Sequence, residues 1–172
     1  EVLGVDVGDS EAETFWTAFL RSLKARGMTG VRLVISDAHE GLRAAIRKTL
    51  QGSSWQRCRV HYVRNLLAPV PKAHQEMVAA AFRSIFALTT PADVAARWDE
   101  VAVTLTDRFP KAAALMDSAK TDVLAFTAFP RAHWRQIWSN NPLERLNKEI
   151  RRRPAVVGIF PNDPAVIRLV GA

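Results

Sequence analysis

Asp37, Glu144 and the pair Cys58 and His61 are the residues whose types and settings could do chemistry. Asp37 closes the apolar run "VRLVISD". A carboxylate at the carboxyl end of a buried strand stands where ligands collect in α/β sheets. The same residue fits the N-cap of a following helix, because Asp37 to Glu40 matches D-x-x-E, and the two roles are compatible. Glu144 stands in "NNPLERLNKEIRRR", residues 140–153. There Asn141 suits the N-cap, Pro142 the first helical position and Glu144 the third, so a capping box and a catalytic carboxylate are both open. Helical spacing separates Glu144 from Glu149. Leu143, Leu146 and Ile150 form one apolar face, with Glu144, Lys148 and Arg151 on one flank. Glu149 falls on the other flank with Arg145 and Arg153, where i,i+4 pairing is its expected role.

Cys58 and His61 form a C-x-x-H pair whose side chains can both bind zinc. No second pair of suitable spacing follows, so a buried thiol and a hydrogen-bonded imidazole are expected. His39, His74 and His133 are expected as surface or packed histidines. The chain has no Gly-rich phosphate loop, nucleophile elbow or H-E-x-x-H motif.

The charge balance points to a polyanionic partner. Lys and Arg number 24 against 17 Asp and Glu, a formal net charge of +7. Between Arg131 and Arg153 stand seven cations (Arg131, Arg135, Arg145, Lys148, Arg151, Arg152, Arg153) and two glutamates. Trp134 and Trp138 precede the run, and a phosphate backbone suits it better than bulk solvent does. The single cysteine excludes an intrachain disulfide framework and points to a reducing cytoplasm. No apolar run approaches the roughly 20 residues that span a bilayer, and residues 1–8 do not read as a signal peptide.

The elements that must position these groups follow from periodicity. "VLGVDVG" predicts a strand, and Ser10 with Glu13 a capping box opening a helix that buries Phe15, Trp16, Phe19, Leu20 and Leu23 and stops at Gly27. Residues 31–36 predict a buried strand, 40–50 a helix burying Leu42, Ala45, Ile46 and Leu50, and "WQRCRV" a short strand. That order belongs to a layered α/β unit. From His61 onward the pattern turns helical over 74–88, 91–107 and 110–119, punctuated by Pro69, Pro71, Pro91 and Pro110. A last helix is expected from near Asn141. The tail from Pro154 carries Pro161 and Pro164 and reads as strand or loop.

Three stretches carry a family resemblance: "VISDAHEGLRAAI", "WQRCRVHYVRNLL" and "NPLERLNKEIRRRPAVVGIFPN". In this order they closely resemble the transposases of bacterial insertion sequences in the Mutator-like family, across essentially the whole chain. The resemblance implies an α/β, RNase H-like catalytic domain with an all-α insertion before its last acidic residue. Here that means a partial core over 1–66, the insertion over 67–138, and the final catalytic helix and tail over 139–172. Asp37 matches the second acidic residue of the family's Asp-Asp-Glu triad. Glu144 matches the glutamate, with Arg151 in the basic position seven residues later. Cys58 and His61 match the family's C-x-x-H signature.

The chemistry so implied is two-metal phosphoryl transfer on DNA, with Asp37 and Glu144 holding Mg²⁺, or Mn²⁺, in pairs about 3.5–4 Å apart. Carboxylate and water ligands suit these hard cations. Arg145, Lys148, Arg151, Arg152 and Arg153 become the grip on DNA. A homo-oligomeric active complex at the bacterial nucleoid is implied as well. The family's first aspartate lies on a strand upstream of residue 1, so a fragment or decayed gene product is expected, and Asp6 is not assigned to the triad. The DNA-binding region that the resemblance places ahead of such domains is likewise expected to be missing. Pro154 stands where a threonine is more usual and is expected to end the helix early. The alternatives are a non-catalytic DNA-binding remnant and a general RNase H-like nuclease.

Overall fold

The computed structural model describes residues 2–8, 12–141, 143, 144, 146, 148, 152, 164, 165 and 167. The chain is mixed α/β and mostly helical. In order it forms α1 (Glu13–Ala25), β1 (Leu33–Ser36), α2 (Glu40–Thr49), β2 (Ser54–Arg57), α3 (Arg59–Leu67), α4 (Lys72–Ile85), α5 (Pro91–Thr106), α6 (Pro110–Val123) and the short α7 (Trp134–Ile137). Two single-turn 3₁₀ helices, Ala125–Ala128 and Arg131–His133, lead into α7. Helical residues resume at Asn141 and include Leu143, Glu144, Leu146, Lys148 and Arg152. Strands β1 and β2 pair in parallel as a two-stranded sheet.

The chain divides into two compact units. The first comprises residues 1–34, 39–53 and 140–172. Its described core is α1 packed on α2, with Leu20, Leu23, Ala45, Ile46 and Leu50 buried. Lys24 Nζ donates to the Thr49 carbonyl at 3.0 Å, placing a cation at the end of α2, where the helix carbonyls favour one. Helix α1 closes on Gly27. Met28 N–H donates to Leu23 O and Gly27 N–H to Lys24 O, both at 3.0 Å, which satisfies carbonyls the helix leaves open. Gly27 holds φ +100° there, a conformation that costs an L side chain energy. Gly27→Ala is expected to lower stability by about 1 kcal/mol, with Gly27→Asn recovering part of the loss. Urea midpoints check this, since a Cβ at Gly27 meets nothing within 4 Å and only the backbone term is read.

The second unit comprises residues 35–38 and 54–139. Helices α4, α5 and α6 pack in succession, with α3 against α4 and α6. Proline opens α5 and α6, as the sequence predicts, and Thr90 caps α5 by accepting from Asp93 N–H. Tyr62, Phe82 and Trp98 meet with ring centroids 5.5–5.9 Å apart, within the favourable range for aromatic pairs. Trp98 is fully buried and satisfies its indole N–H on Met116 O at 3.2 Å. A second aromatic group joins Phe86, Phe126, Trp134 and Trp138.

Several expectations change. Residues 2–7 join no sheet, and Val2, Leu3, Val5 and Val7 are exposed. Their β-branched alternation describes a side-chain surface, but a strand also needs a neighbour for its backbone groups. Helix α1 starts at Glu13 with Ala12 as a cap that makes no side-chain bond, so Glu13 is not the third residue of a box opened by Ser10. Ser10 itself lies outside the described residues. Strand β1 begins at Leu33, two residues late, and β2 ends at Arg57. Cys58 onward turns into α3, where a continued strand was expected.

Candidate functional site

Asp37 sits in the second unit, directly after the last residue of β1. The backbone there is held from three sides. Ser36 is buried, and its carbonyl accepts the Cys58 N–H at 2.7 Å. Its hydroxyl accepts the indole N–H of Trp55 at 2.8 Å and donates to Asp37 O at 2.9 Å. The Asp37 side chain is exposed, with Oδ1 accepting the Ala38 N–H at 2.8 Å. Oδ2 has no partner among the described residues. A carboxylate with a braced backbone, one fixed oxygen and one open oxygen is suited to take a cation. The alternative role for Asp37, the cap of α2, goes to His39 instead, whose Nδ1 accepts the Leu42 N–H at 3.2 Å. An imidazole at the cap is outside the usual Ser, Thr, Asp and Asn set, so spacing pointed to the wrong residue.

Cys58 and His61 flank the start of α3. Cys58 is the N-cap residue, fully buried, and its carbonyl accepts the Tyr62 N–H at 2.9 Å. His61 is half-buried on the first turn. Among the described residues no three His, Cys, Asp or Glu gather as metal ligands. The buried thiol agrees with expectation. Its main-chain bonds to Ser36 and Tyr62 join the end of β1 to the start of α3.

Glu144 belongs to the first unit and is half-buried on the final helix. Its N–H donates to Asn140 O at 3.0 Å, which makes Asn140 the cap, one residue before the expected Asn141. Glu144 is then fourth in its helix and not third, so the capping-box reading loses its geometry. Lys148 and Arg152 follow it at successive four-residue steps and are exposed. Glu149, Arg145, Arg151, Arg153 and the tail from Pro154 to Asn162 lie outside the described residues.

Tyr62, one turn into α3, is the only tyrosine in the chain and is fully buried. Its hydroxyl makes no hydrogen bond among the described residues. Burial pushes the phenol well above its usual value; Arg57 opposes the shift and Asp117 adds to it. A raised pKa means the folded state holds this proton more tightly than the unfolded state. The associated stability is full below about pH 10 and is lost as the pH rises above it. A spectrophotometric titration of the native chain should therefore show no tyrosinate near pH 10, and adding urea at that pH should release it.

Two residues with functional potential escaped the sequence reading, Arg57 and Arg59. The available signal was charge: residues 41–75 hold seven Lys and Arg and no acidic residue.

A model of the family described as "Transposase, Mutator family" matches residues 1–172. The chain belongs to the Mutator family of transposases. It is 54% identical over 172 residues to the transposase for insertion sequence element IS1081 of Mycobacterium tuberculosis, covering 100% of this chain and 41% of that protein. It is 42% identical over 173 residues to the transposase for IS406 of Burkholderia multivorans, covering 99% and 44%. A Staphylococcus aureus relative, the transposase for IS256 in transposon Tn4001, is 38% identical over 174 residues, covering 100% and 44%. The chain thus spans less than half the length of these Mutator-family relatives. No described helix is long and apolar enough to cross a membrane.

Proposed function

We propose that this chain is part of the catalytic core of an insertion-sequence transposase that cleaves and joins DNA by metal-dependent phosphoryl transfer. Membership of the Mutator family over all 172 residues carries the reading. Asp37, braced at the end of β1 with an open carboxylate oxygen, supports it locally. In this reading the parallel pair β1 and β2 belongs to an RNase H-like core.

The donor chemistry fits a hard divalent cation, Mg²⁺ or Mn²⁺, because both proposed ligands, Asp37 and Glu144, offer carboxylate oxygen and Asp37 is open to water. When bound, the cation supplies charge stabilisation at the reacting phosphate and favours the deprotonated nucleophile. Asp37 contributes a fixed negative charge whose position is set by Ser36, Trp55 and Ala38. Glu144 contributes the second carboxylate from the final helix. Lys148 and Arg152, with Arg145, Arg151 and Arg153, bind the DNA backbone. The active complex is a homo-oligomer on DNA.

The test is cleavage of labelled DNA carrying element ends by the full transposase, in Mg²⁺ and in EDTA, for the wild type and for Glu144→Gln and Glu149→Gln. Cleavage should require the metal and be lost in Glu144→Gln alone. Loss in Glu149→Gln with a fully active Glu144→Gln would mean that the wrong glutamate has been assigned. DNA binding without cleavage by the wild type would favour a non-catalytic remnant.

A further inference from the structure

Arg57 and Arg59 stand on either side of Cys58, and both guanidinium groups rest on aromatic rings. Arg59 lies 3.9 Å from the centroid of Trp138 and 4.9 Å from that of Phe86. Arg57 lies 4.9 Å from the centroid of Tyr62, and its Nε is enclosed without a hydrogen-bond partner among the described residues. Neither arginine is exposed, and neither pairs with a carboxylate among the described residues. The arginines and lysines on the neighbouring helices behave differently: Arg83 pairs with Glu76, Arg97 with Glu100 and Lys120 with Asp99.

A guanidinium withdrawn from water without a counter-ion is costly, and ring stacking offsets only part of that cost. Burial pushes the Arg59 guanidinium below its usual value, with the Cys58 thiol acting in the opposite direction. A planar cation stacked on its face keeps its edge N–H groups for a planar or tetrahedral anion, and arginine matches phosphate in two-pronged fashion. The location is specific as well. Cys58, between the two, donates its N–H to Ser36 O, the residue before Asp37.

We propose that Arg57 and Arg59 form a phosphate clamp that holds the DNA backbone beside Asp37. This assignment rests on the reading of the chain as a DNA-acting transposase. It adds to that reading a second phosphate contact, in a different unit of the chain from the arginines of the final helix. The aromatic rings set the positions of both guanidinium groups before DNA arrives, so less side-chain freedom is lost on binding.

The experiment measures anisotropy of a fluorescent DNA duplex with the 172-residue chain in EDTA, over a salt series, so that no metal step enters. Arg57→Met and Arg59→Met keep the hydrophobic stem and remove the charge. Arg57→Lys and Arg59→Lys keep the charge and remove the planar fork, and Arg83→Met serves as control. Thermal melting and near-UV circular dichroism verify folding of each variant. Each Met variant should weaken binding about tenfold and reduce the log–log salt slope by about 1, while Arg83→Met leaves the slope unchanged. The Lys variants should keep the slope and bind severalfold more weakly. Where a Met variant does not fold, its Lys counterpart decides, and wild-type affinity in that protein overturns the clamp. Folded Met variants with the wild-type slope overturn it equally. Failure of both the wild-type chain and the full transposase to bind duplex would instead sink the DNA-acting reading on which the clamp rests.

Discussion

Asp37→Asn in the full transposase is expected to reduce Mg²⁺-dependent DNA cleavage about 10³-fold or more while leaving the protein as stable as the wild type. The loss corresponds to about 4 kcal/mol of transition-state stabilisation. The substitution is conservative for the fold, because Asn Oδ1 can still accept the Ala38 N–H that Asp37 accepts at 2.8 Å. The side chain is exposed, so stability should move by no more than about 0.5 kcal/mol. What disappears is the negative charge and the open second oxygen, the features a hard cation needs. Cleavage and thermal melting measured on the same preparation separate the two effects. Equal cleavage by wild type and variant would remove Asp37 from the chemistry.

The largest stability effect is expected at Gln56, in the middle of β2. This side chain is fully buried, and both ends of its amide are used. Nε2 donates to Val123 O and Arg57 O, and Oε1 accepts the Phe126 N–H, each at 2.7 Å. It therefore ties β2 to the end of α6 and to the 3₁₀ turn that follows. Leucine at this position has similar bulk and no polar atoms. Gln56→Leu strands a buried backbone donor and acceptor, at about 1–3 kcal/mol each, for a total of about 2–6 kcal/mol. Four of the five tryptophans (Trp55, Trp98, Trp134 and Trp138) lie in the same unit. Tryptophan fluorescence in a Trp16→Phe background therefore follows unfolding of that unit. Its urea midpoint should fall clearly; an unchanged midpoint would show that these bonds contribute little.

Much of the helical framework was legible because its signals are local. Proline opens α5 and α6, Thr90 caps α5, and Gly27 ends α1, each acting within a turn of its own residue. The buried positions Leu20, Leu23, Ala45 and Ile46 likewise follow helical spacing. Features that depend on distant partners were not legible. Residues 2–7 have the composition of a strand but no ladder in the two-stranded sheet. Helix α3 was hidden because "RCRV" continues a β-like run, although Tyr62 and Leu66 stand i,i+4 and both are fully buried. The cap of α2 was misplaced because Asp37 fits the cap pattern better than His39, which makes the bond. Bracing of Asp37 by Trp55, and the stacking of Arg57 and Arg59, depend on contacts between residues on different elements. Family resemblance supplied the candidate site residues, which spacing alone left balanced against capping roles.

The central claim, that Asp37 and Glu144 hold the catalytic cation, is tested most directly by exchanging each ligand atom. Asp37→Cys and Glu144→Cys replace a hard oxygen with a softer sulfur, which Mn²⁺ accepts more readily than Mg²⁺ does. Cleavage of element-end DNA by the full transposase is then measured in each metal. Both variants should be inactive in Mg²⁺ and partly restored in Mn²⁺, beyond any general gain the wild type shows on the same exchange. Folded variants that gain nothing from Mn²⁺, or a matching rescue in Glu149→Cys, would contradict the assignment.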